Sequence, residues 1–446
     1  MLRTQNYIGW SCIIIFFLCL SLQGKAQKTW TLDDCIDYAY EHNIYINSAK
    51  MQVLTMENTY KQSRNNRFPT LSYSSSLASQ FGRSIDPTTN SYTNTHITYN
   101  SMGFSSGITL FNWFSVKNTI KCNSKNVEVA NLETERLKND LKLNIAAAYL
   151  QVLLAEKQLE ISQQQIDLTL QQLDITSKQV EYGKKPKSDR LQIVGELSSD
   201  STTYFNQLSA IQQAKLQVML LLNIDPQDGF EINKADTVVE NQLPILEEPE
   251  YIYEIAKIKQ PLQKEDKLKL EALGYQKAIS KASFYPTLSA NATISSNYSN
   301  AYTNSYGNPY SYFNQLFNIN LYQYVGLSLS IPIFNNKTAY YNYKNICVQI
   351  KTQQLQNEGD NQQLKQDIYN AYNTAHTNLS VYMSTKRTLN ATQEGYMMSQ
   401  KRFEIGKSTL SDYLTALNTL YQAKTNYINA YYNYIFSFKI LAFYKV

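Results

Sequence analysis

The stretch Val180-Glu181-Tyr182-Gly183-Lys184, followed by Ser188-Asp189-Arg190-Leu191, returns 223 residues later as Phe403-Glu404-Ile405-Gly406-Lys407, followed by Ser411-Asp412-Tyr413-Leu414. The same offset pairs Phe111-Asn112 with Phe334-Asn335, and Ala148-Tyr149 with Ala371-Tyr372. Farther upstream the offset is 217, where Phe68-Pro69-Thr70-Leu71-Ser72 matches Tyr285-Pro286-Thr287-Leu288-Ser289. A plan written twice predicts an architecture assembled from two structural repeats. The boundaries read as a first repeat over 27–222, a linker over 223–249 rich in turn signals such as Asp225-Pro226 and Asp228-Gly229, and a second repeat over 250–446.

Outward from the two glycine turns the chain reads as helix. Ile145, Val152, Leu159, Ile166, Leu173 and Val180 recur every seven residues, and Ile368, Ala375, Tyr382, Leu389, Tyr396 and Phe403 do the same one repeat later. Sustained heptads predict long helices that supercoil around one another. Beyond the turns the period resumes at Leu197, Tyr204, Ile211 and Val218, and at Leu420, Tyr427, Tyr434 and Leu441. The tyrosines of the carboxyl end are therefore expected to be packing residues rather than a ligand box. From Asn112 to Gly183 the helix would be ~105 Å long; the return helix and the segment Leu32–Asn66 would each be ~50 Å. Two half-length helices end to end match one long one. Thr31 is placed to cap the segment that starts at Leu32, and Arg67-Phe68-Pro69 to end it.

Between helices the period changes to two. Leu71, Tyr73, Leu77 and Phe81 alternate with Ser72, Ser74, Ser76 and Gln80; Met102, Phe104, Ile108 and Leu110 alternate with Gly103, Ser105, Gly107 and Thr109. The second repeat has the same pattern at Leu288, Ala290, Ala292 and Ile294 and at Val325, Leu327, Leu329 and Ile331. Four strands of about 12 residues, apolar on one face and small and polar on the other, are what a transmembrane barrel needs. Four strands close no aqueous barrel alone, and lipid tolerates no open sheet edge, so partner chains are expected.

The amino terminus reads as a secretory signal over 1–26. Arg3 precedes a short apolar run, Ile13 to Leu22, and Gly24-Lys25-Ala26 presents small residues for cleavage between Ala26 and Gln27. The run is too short to span a bilayer, and no later run approaches the ~20 residues a membrane helix needs. A net charge of +5 in 446 residues gives no sign of a nucleic-acid partner. Past the signal the cysteines are Cys35, Cys122 and Cys347, an odd number without CxxC spacing, so neither a disulfide framework nor a zinc site is expected.

These residues resemble the TolC-type outer-membrane efflux family. The resemblance rests on the paired Pro-Thr-Leu-Ser strand starts at 69–72 and 286–289, the strand exit Ile331-Pro332-Ile333-Phe334-Asn335, and the turns around Gly183 and Gly406, all in one order, twice. It implies a mainly α fold with a membrane β-barrel part. Three chains would complete a twelve-stranded barrel continuous with a coiled-coil tunnel across the periplasm. The implied function is the exit duct of a tripartite efflux or type I secretion system. The implied partners are a periplasmic adaptor, an inner-membrane transporter and outer-membrane lipid.

By the same resemblance the turns form the periplasmic tip. Gly183, Lys184, Lys185, Gly406, Lys407 and Ser408 would dock the adaptor, and Asp189, Asp412 and Phe403 would line the constriction. A second reading of Asp189 and Asp412, with Ser188 and Ser411, is that they cap the return helices. Phe403 replaces a tyrosine hydroxyl, Ser408 an arginine, and Thr415 a second aspartate, so a hydrogen-bond-locked acidic gate is not expected. Lys184, Lys185, Lys187, Arg190 and Lys407 make the tip basic, either to meet an acidic or carbonyl-rich adaptor or as solvated charge.

Gly406-Lys407-Ser408-Thr409 imitates the end of a phosphate-binding loop, but Lys401 stands where the upstream glycine is required. His42, His96 and His376 are far apart, and no catalytic or metal-ligand cluster is visible. No enzyme, cofactor or metal is expected. A general porin and a secreted coiled-coil adhesin are the rival classes. The first lacks a use for ~100 Å helices; the second lacks a use for alternating strands.

Overall fold

The computed structural model describes residues 29–85, 90–93, 96–233 and 246–445. The expected signal and its cleavage point lie outside the described residues. By its contacts the chain forms two compact units, one built from residues 1–49, 134–261 and 361–446 and the other from 50–133 and 262–360.

The second of these holds the sheet. Strands β2 (Thr70–Gln80), β5 (Ile97–Phe111), β7 (Thr287–Ser299) and β8 (Tyr322–Ser330) pair antiparallel in that order, leaving β2 and β8 at the two ends, and the short β3 (Ser84–Ile85) and β4 (Tyr92–Thr93) pair with each other between β2 and β5 in the chain. Register brings Leu71, Tyr73 and Leu77 onto one face with Phe104, Ile294 and Val325, while Ser72, Ser105, Thr293 and Gly326 share the other. The expected alternation is thus realised, and the apolar face is open: Leu71 is 74% exposed and Val325 85%. One expectation fails. A register shift between Thr109 and Phe111 leaves Leu110 as the extra residue, so Phe111 rather than Leu110 meets Leu288. Such a bulge sharpens the local twist at the end of the strand.

Helix α1 (Leu32–His42) starts on a capping box in which Thr31 accepts from the Asp34 N–H and Asp34 accepts from the Thr31 N–H. The single helix expected over Leu32–Asn66 is broken at Asn43, and α2 (Ile44–Asn65) begins immediately after. Asn43 has extended backbone, φ −66° and ψ 127°. Its Oδ1 accepts from the N–H groups of Tyr45 (2.9 Å) and Ile46 (3.3 Å), and its Nδ2 donates to the Leu221 carbonyl at 3.0 Å. One side chain therefore caps α2 and closes an unpaired carbonyl at the end of another helix. The second half repeats the helix break and the carbonyl contact 217 residues on. Gln260 is extended between α5 (Pro249–Lys259) and α6 (Pro261–Ala282), and its Nε2 donates to the carbonyls of Phe443 and Tyr444. Replacing Asn43 with Ala is expected to cost about 1–3 kcal/mol, the cap plus one unsatisfied carbonyl. The apparent unfolding temperature in detergent should fall, and Asn43→Asp, which keeps the cap and loses the donor, should fall less.

The long helices are α3 (Ser115–Glu181) and α7 (Thr338–Glu404), each of 67 residues, or ~100 Å. They turn back as α4 (Lys187–Leu222) and α8 (Leu410–Phe443). Cys35, Ile36 and Ala39 pack with Ile145, Val152 and Val218 in one core. Ile252, Tyr253 and Ala256 pack with Ile368, Ala375 and Leu441 in another, at corresponding positions. Phe230 and Ile232, inside the expected linker, belong to the first core, where β6 (Glu231–Ile232) pairs in parallel with β1 (Thr29–Trp30). Tyr149 ties this pair down by donating to the Trp30 carbonyl at 3.1 Å.

The α7 heptad is buried as expected at Ile368, Ala375, Tyr382, Tyr396 and Phe403, with Leu389 half-buried. Tyr382 stacks on Tyr434 with ring centroids 5.3 Å apart, so these tyrosines are packing residues. The α3 heptad departs from expectation. Ile145 and Val152 are fully buried, but Leu159, Ile166, Leu173 and Val180 are only partly so. The continuous deep line is the companion heptad of Leu141, Ala148, Ala155, Ser162, Thr169 and Thr176, which is buried throughout. The two heptads are the a and d positions of one unbroken seam, and its lower part is buried at the small d residues more than at the large a residues. Small residues let the neighbouring helix approach, and Thr169 satisfies the buried Asp200 of α4 by donating to its Oδ2 at 2.6 Å.

Candidate functional site: the paired tip turns

Both long helices end alike. Gly183 and Gly406 take φ of +72° and +73°, a region that costs other residues about 1–2 kcal/mol. Each glycine N–H donates three residues back, to Val180 and Phe403, at 3.0 Å. The next residues, Lys184 and Lys407, donate five back, to Gln179 and Arg402, at 2.8 Å. This double closure is the Schellman ending, which the helix–glycine spacing encodes.

The restarts differ. At α8 the cap is Thr409, whose Oγ1 accepts from the Asp412 N–H at 3.1 Å while Asp412 Oδ2 accepts from the Thr409 N–H at 3.0 Å. Hydrogen bonding from the Thr409 side chain, and then from its backbone N–H, holds the Asp412 carboxyl below its ordinary range. At α4 the corresponding residue is Pro186, which has no side-chain acceptor, and the Asp189 N–H reaches only the Pro186 carbonyl at 3.2 Å. The capping expectation therefore holds for Asp412 and not for Asp189, and it needs correcting in its details: Thr409 is the cap, and Ser188 and Ser411 lie inside the helices. The spacing Thr409-x-x-Asp412 is itself a capping-box signature and was readable in the sequence.

Behind the turns lies a small core of Ile193, Tyr396, Phe403, Leu410, Tyr413 and Leu414. Phe403 is 6% exposed and stacks on Tyr413, centroids 5.2 Å apart at 22°. The Tyr413 and Tyr396 hydroxyls meet at 3.2 Å, and burial with this contact drives the Tyr413 pKa well up. Lys185 reaches across from the other turn and sets its Nζ 3.7 Å from the Phe403 ring centroid. Burial pushes the Lys185 pKa down, opposed by the nearby Asp189. Lys184, Lys187, Arg190 and Lys407 stay exposed, so Lys185 is the lysine of the group that packs.

The structure thus gathers Lys185, Phe403 and Tyr413 into one contact. A cleft of about 270 Å³ opens beside it, with Leu168, Gln172, Gln179 and Gln400 on its walls. Asp412 is exposed and Asp189 half-buried, both at the starts of the return helices. Ser408 is partly covered. Neither tyrosine of the Tyr413–Tyr396 pair was singled out from sequence as a tip residue.

The family description "Outer membrane efflux protein" matches residues 35–223 and 253–442. Outer membrane protein TolC of Escherichia coli (strain K12) is 28% identical over 118 residues, a match spanning 25% of this chain and 22% of that protein. Among solved structures, the outer membrane protein VceC from Vibrio cholerae superposes with a TM-score of 0.75 at 14% identity, covering 93% of this chain and 96% of VceC. The CmeC outer membrane channel of Campylobacter jejuni gives 0.74 at 16%, covering 93% and 85%. At such identities the likeness is one of fold. With both matched stretches together spanning most of its length, the chain belongs to the outer membrane efflux protein family.

Proposed function

We propose that three copies of this chain form an outer-membrane exit duct that passes substrates from an inner-membrane pump and a periplasmic adaptor to the cell exterior. Family membership places the protein in the outer membrane, extending into the periplasm. The observation that carries the reading is the four-stranded sheet. Its apolar face is exposed and its order ends at β2 and β8. Lipid tolerates no unpaired backbone edge, so β8 of one copy pairs with β2 of the next until a twelve-stranded barrel closes. Each chain contributes two repeats, and the 67-residue helices, which a general porin would not use, extend the conduit.

At the tip, Asp189 and Asp412 supply carboxylate rings through threefold symmetry, and Phe403 holds the turns that carry them. Gly183, Lys184, Gly406, Lys407 and Ser408 form the adaptor surface, with Lys185 as the packed member of that set. The duct makes and breaks no covalent bond and needs no cofactor. The test is native mass measurement of the detergent-extracted protein, with single-channel recording in a planar bilayer. A trimer that conducts is expected. A monomer, or a protein soluble without detergent, ends the reading. For docking, reversing Lys184 and Lys407 to Glu should prevent recovery of the adaptor with the channel; unchanged recovery leaves these lysines as solvated charge.

A further inference from the structure

From Ala282 to Asn336 the chain has no Asp, Glu, Lys, Arg or His. This uncharged stretch contains β7, β8 and the connection between them, and the connection is ordered. Tyr312–Asn314 forms a helical turn that continues as a π-turn over Gln315–Ile319. Gln315 is fully buried; its Oε1 accepts from the Ser299 N–H at 2.9 Å, and its Nε2 donates to the carbonyls of Ser299 (2.9 Å) and Tyr310 (3.1 Å). The Tyr312 hydroxyl donates to Asn100 Oδ1 at 2.8 Å, and Ser296 Oγ donates to the Leu316 carbonyl at 2.7 Å.

Those two partners fix where the turn stands. Asn100 pairs with Leu77, and Ser296 pairs with Met102. Alternation puts them on the face of Leu71, Tyr73, Phe104 and Val325, the apolar face of the sheet. The turn therefore folds over the outside of the sheet at its loop end. Phe313 (70% exposed) and Phe317 (64%) lie one helical turn apart on it, with nearly parallel rings 6.4 Å between centroids.

We propose that this turn is an interfacial anchor that sets Phe313 and Phe317 into the headgroup–acyl boundary of the bilayer leaflet at the loop end of the sheet. The inference rests on the outer-membrane barrel reading and adds a lipid-binding element to it. The apolar face on which the turn rests is the lipid face of that reading. The opposite end of the sheet carries exposed aromatics too, with Phe68, Phe111, Trp113 and Phe334 at the strand exits. A strand the length of β7, tilted as barrel strands are, separates two such belts by ~25–30 Å, the height of an apolar membrane band. The absence of charge selects an apolar and aromatic contact rather than ion pairing to headgroups. A second copy would meet the chain along the β2 and β8 ends of the sheet, whereas the turn stands on the face.

The experiment uses the full chain in vesicles of phosphatidylcholine, with and without bromine near the top of the acyl chains. Phe313→Trp is read as the difference in fluorescence from a parent carrying Trp30→Phe, in which Trp113 reports insertion of the barrel itself. Brominated lipid should quench the new tryptophan about twofold or more, beyond quenching by aqueous iodide, and neither chelator nor high salt should change this. Phe317→Trp, checked for conductance, should behave alike. Quenching by iodide alone means the rings stand in water, and quenching by neither means a second copy covers them; each result overturns the anchor. Loss of Trp113 quenching in the parent would instead overturn the barrel reading.

Discussion

Replacing Phe403 with Ala is expected to destabilise the tip by about 3–5 kcal/mol and to raise single-channel conductance. The ring fills the space between Tyr413 on one side and the Lys185 ammonium on the other, and it is nearly inaccessible to solvent. Its removal opens a cavity in a core of few residues, next to a cleft already present. It also strips Lys185 of a contact worth about 1–2 kcal/mol when partly desolvated. Because Lys185 and Phe403 come from different turns, the loss uncouples the two hairpins as well as loosening one. Lys185→Met keeps the apolar stem and loses the charge, so it should cost about 1 kcal/mol. Phe403→Tyr keeps the ring and should be mild. Apparent unfolding temperature in detergent and single-channel recording give both readouts. Equal behaviour of Phe403→Ala and Lys185→Met would show that the cation, not the ring, holds the turns.

How much of this was legible depends on which interactions decide each feature. The long helices, their glycine turns and the strand faces follow from local period and backbone freedom, so sequence spacing reveals them. The break at Asn43 leaves no mark in the sequence because the apolar period runs through it. Its cause is tertiary: the side chain satisfies a carbonyl at Leu221. In the second half Pro261 stood as a sign, since the residue before proline avoids helical backbone. The seam of α3 escaped for another reason. A heptad search selects large apolar residues, whereas the deeply buried ones here are Ser162, Thr169 and Thr176, and Thr169 is matched to Asp200 of α4. The bulge at Leu110 leaves no mark in an alternating pattern.

The tip divides along the same line. Glycine turns and aspartates are local and were identified; the partner of Lys185 is 218 positions away and could not be. Aligned on their glycines, the two turns differ at Lys185-Pro186-Lys187 against Ser408-Thr409-Leu410. The structure gives that asymmetry physical content. One return helix starts with a full capping box and the other behind a proline with none, so the second hairpin is the better fixed and the first is tethered to it through Lys185.

Asp266→Asn should stabilise the protein at pH 8 and leave it unchanged near pH 4. Asp266, on α6, is 4% exposed, and burial first, then the nearby Asp360, push its pKa from 3.8 to about 6. Lys269 opposes this and Glu265 adds to it, but Lys269 is held by Glu265 in an ion pair of 2.6 Å. Gln353 of α7 donates to Asp266 Oδ1, and the nearby Asp360 carboxyl favours the protonated form of Asp266. The sign follows from which state binds the proton. Below about pH 4 both folded and unfolded chains are protonated at this site and it has no effect. As pH rises from about 4 to 6 the unfolded chain releases its proton first, so folding loses stability, and above about 6 the full penalty stands. A shift of this size corresponds to about 3 kcal/mol, reduced by water reaching the pair to about 1–3 kcal/mol. Asn is isosteric, accepts from Gln353 as Asp does, and donates to an ionised Asp360 without a proton. The apparent unfolding temperature of the variant should therefore exceed that of the parent at pH 8, with the two curves converging as pH falls through 6 to 4. A gain that persists undiminished at pH 4 would assign the effect to packing rather than to the buried charge.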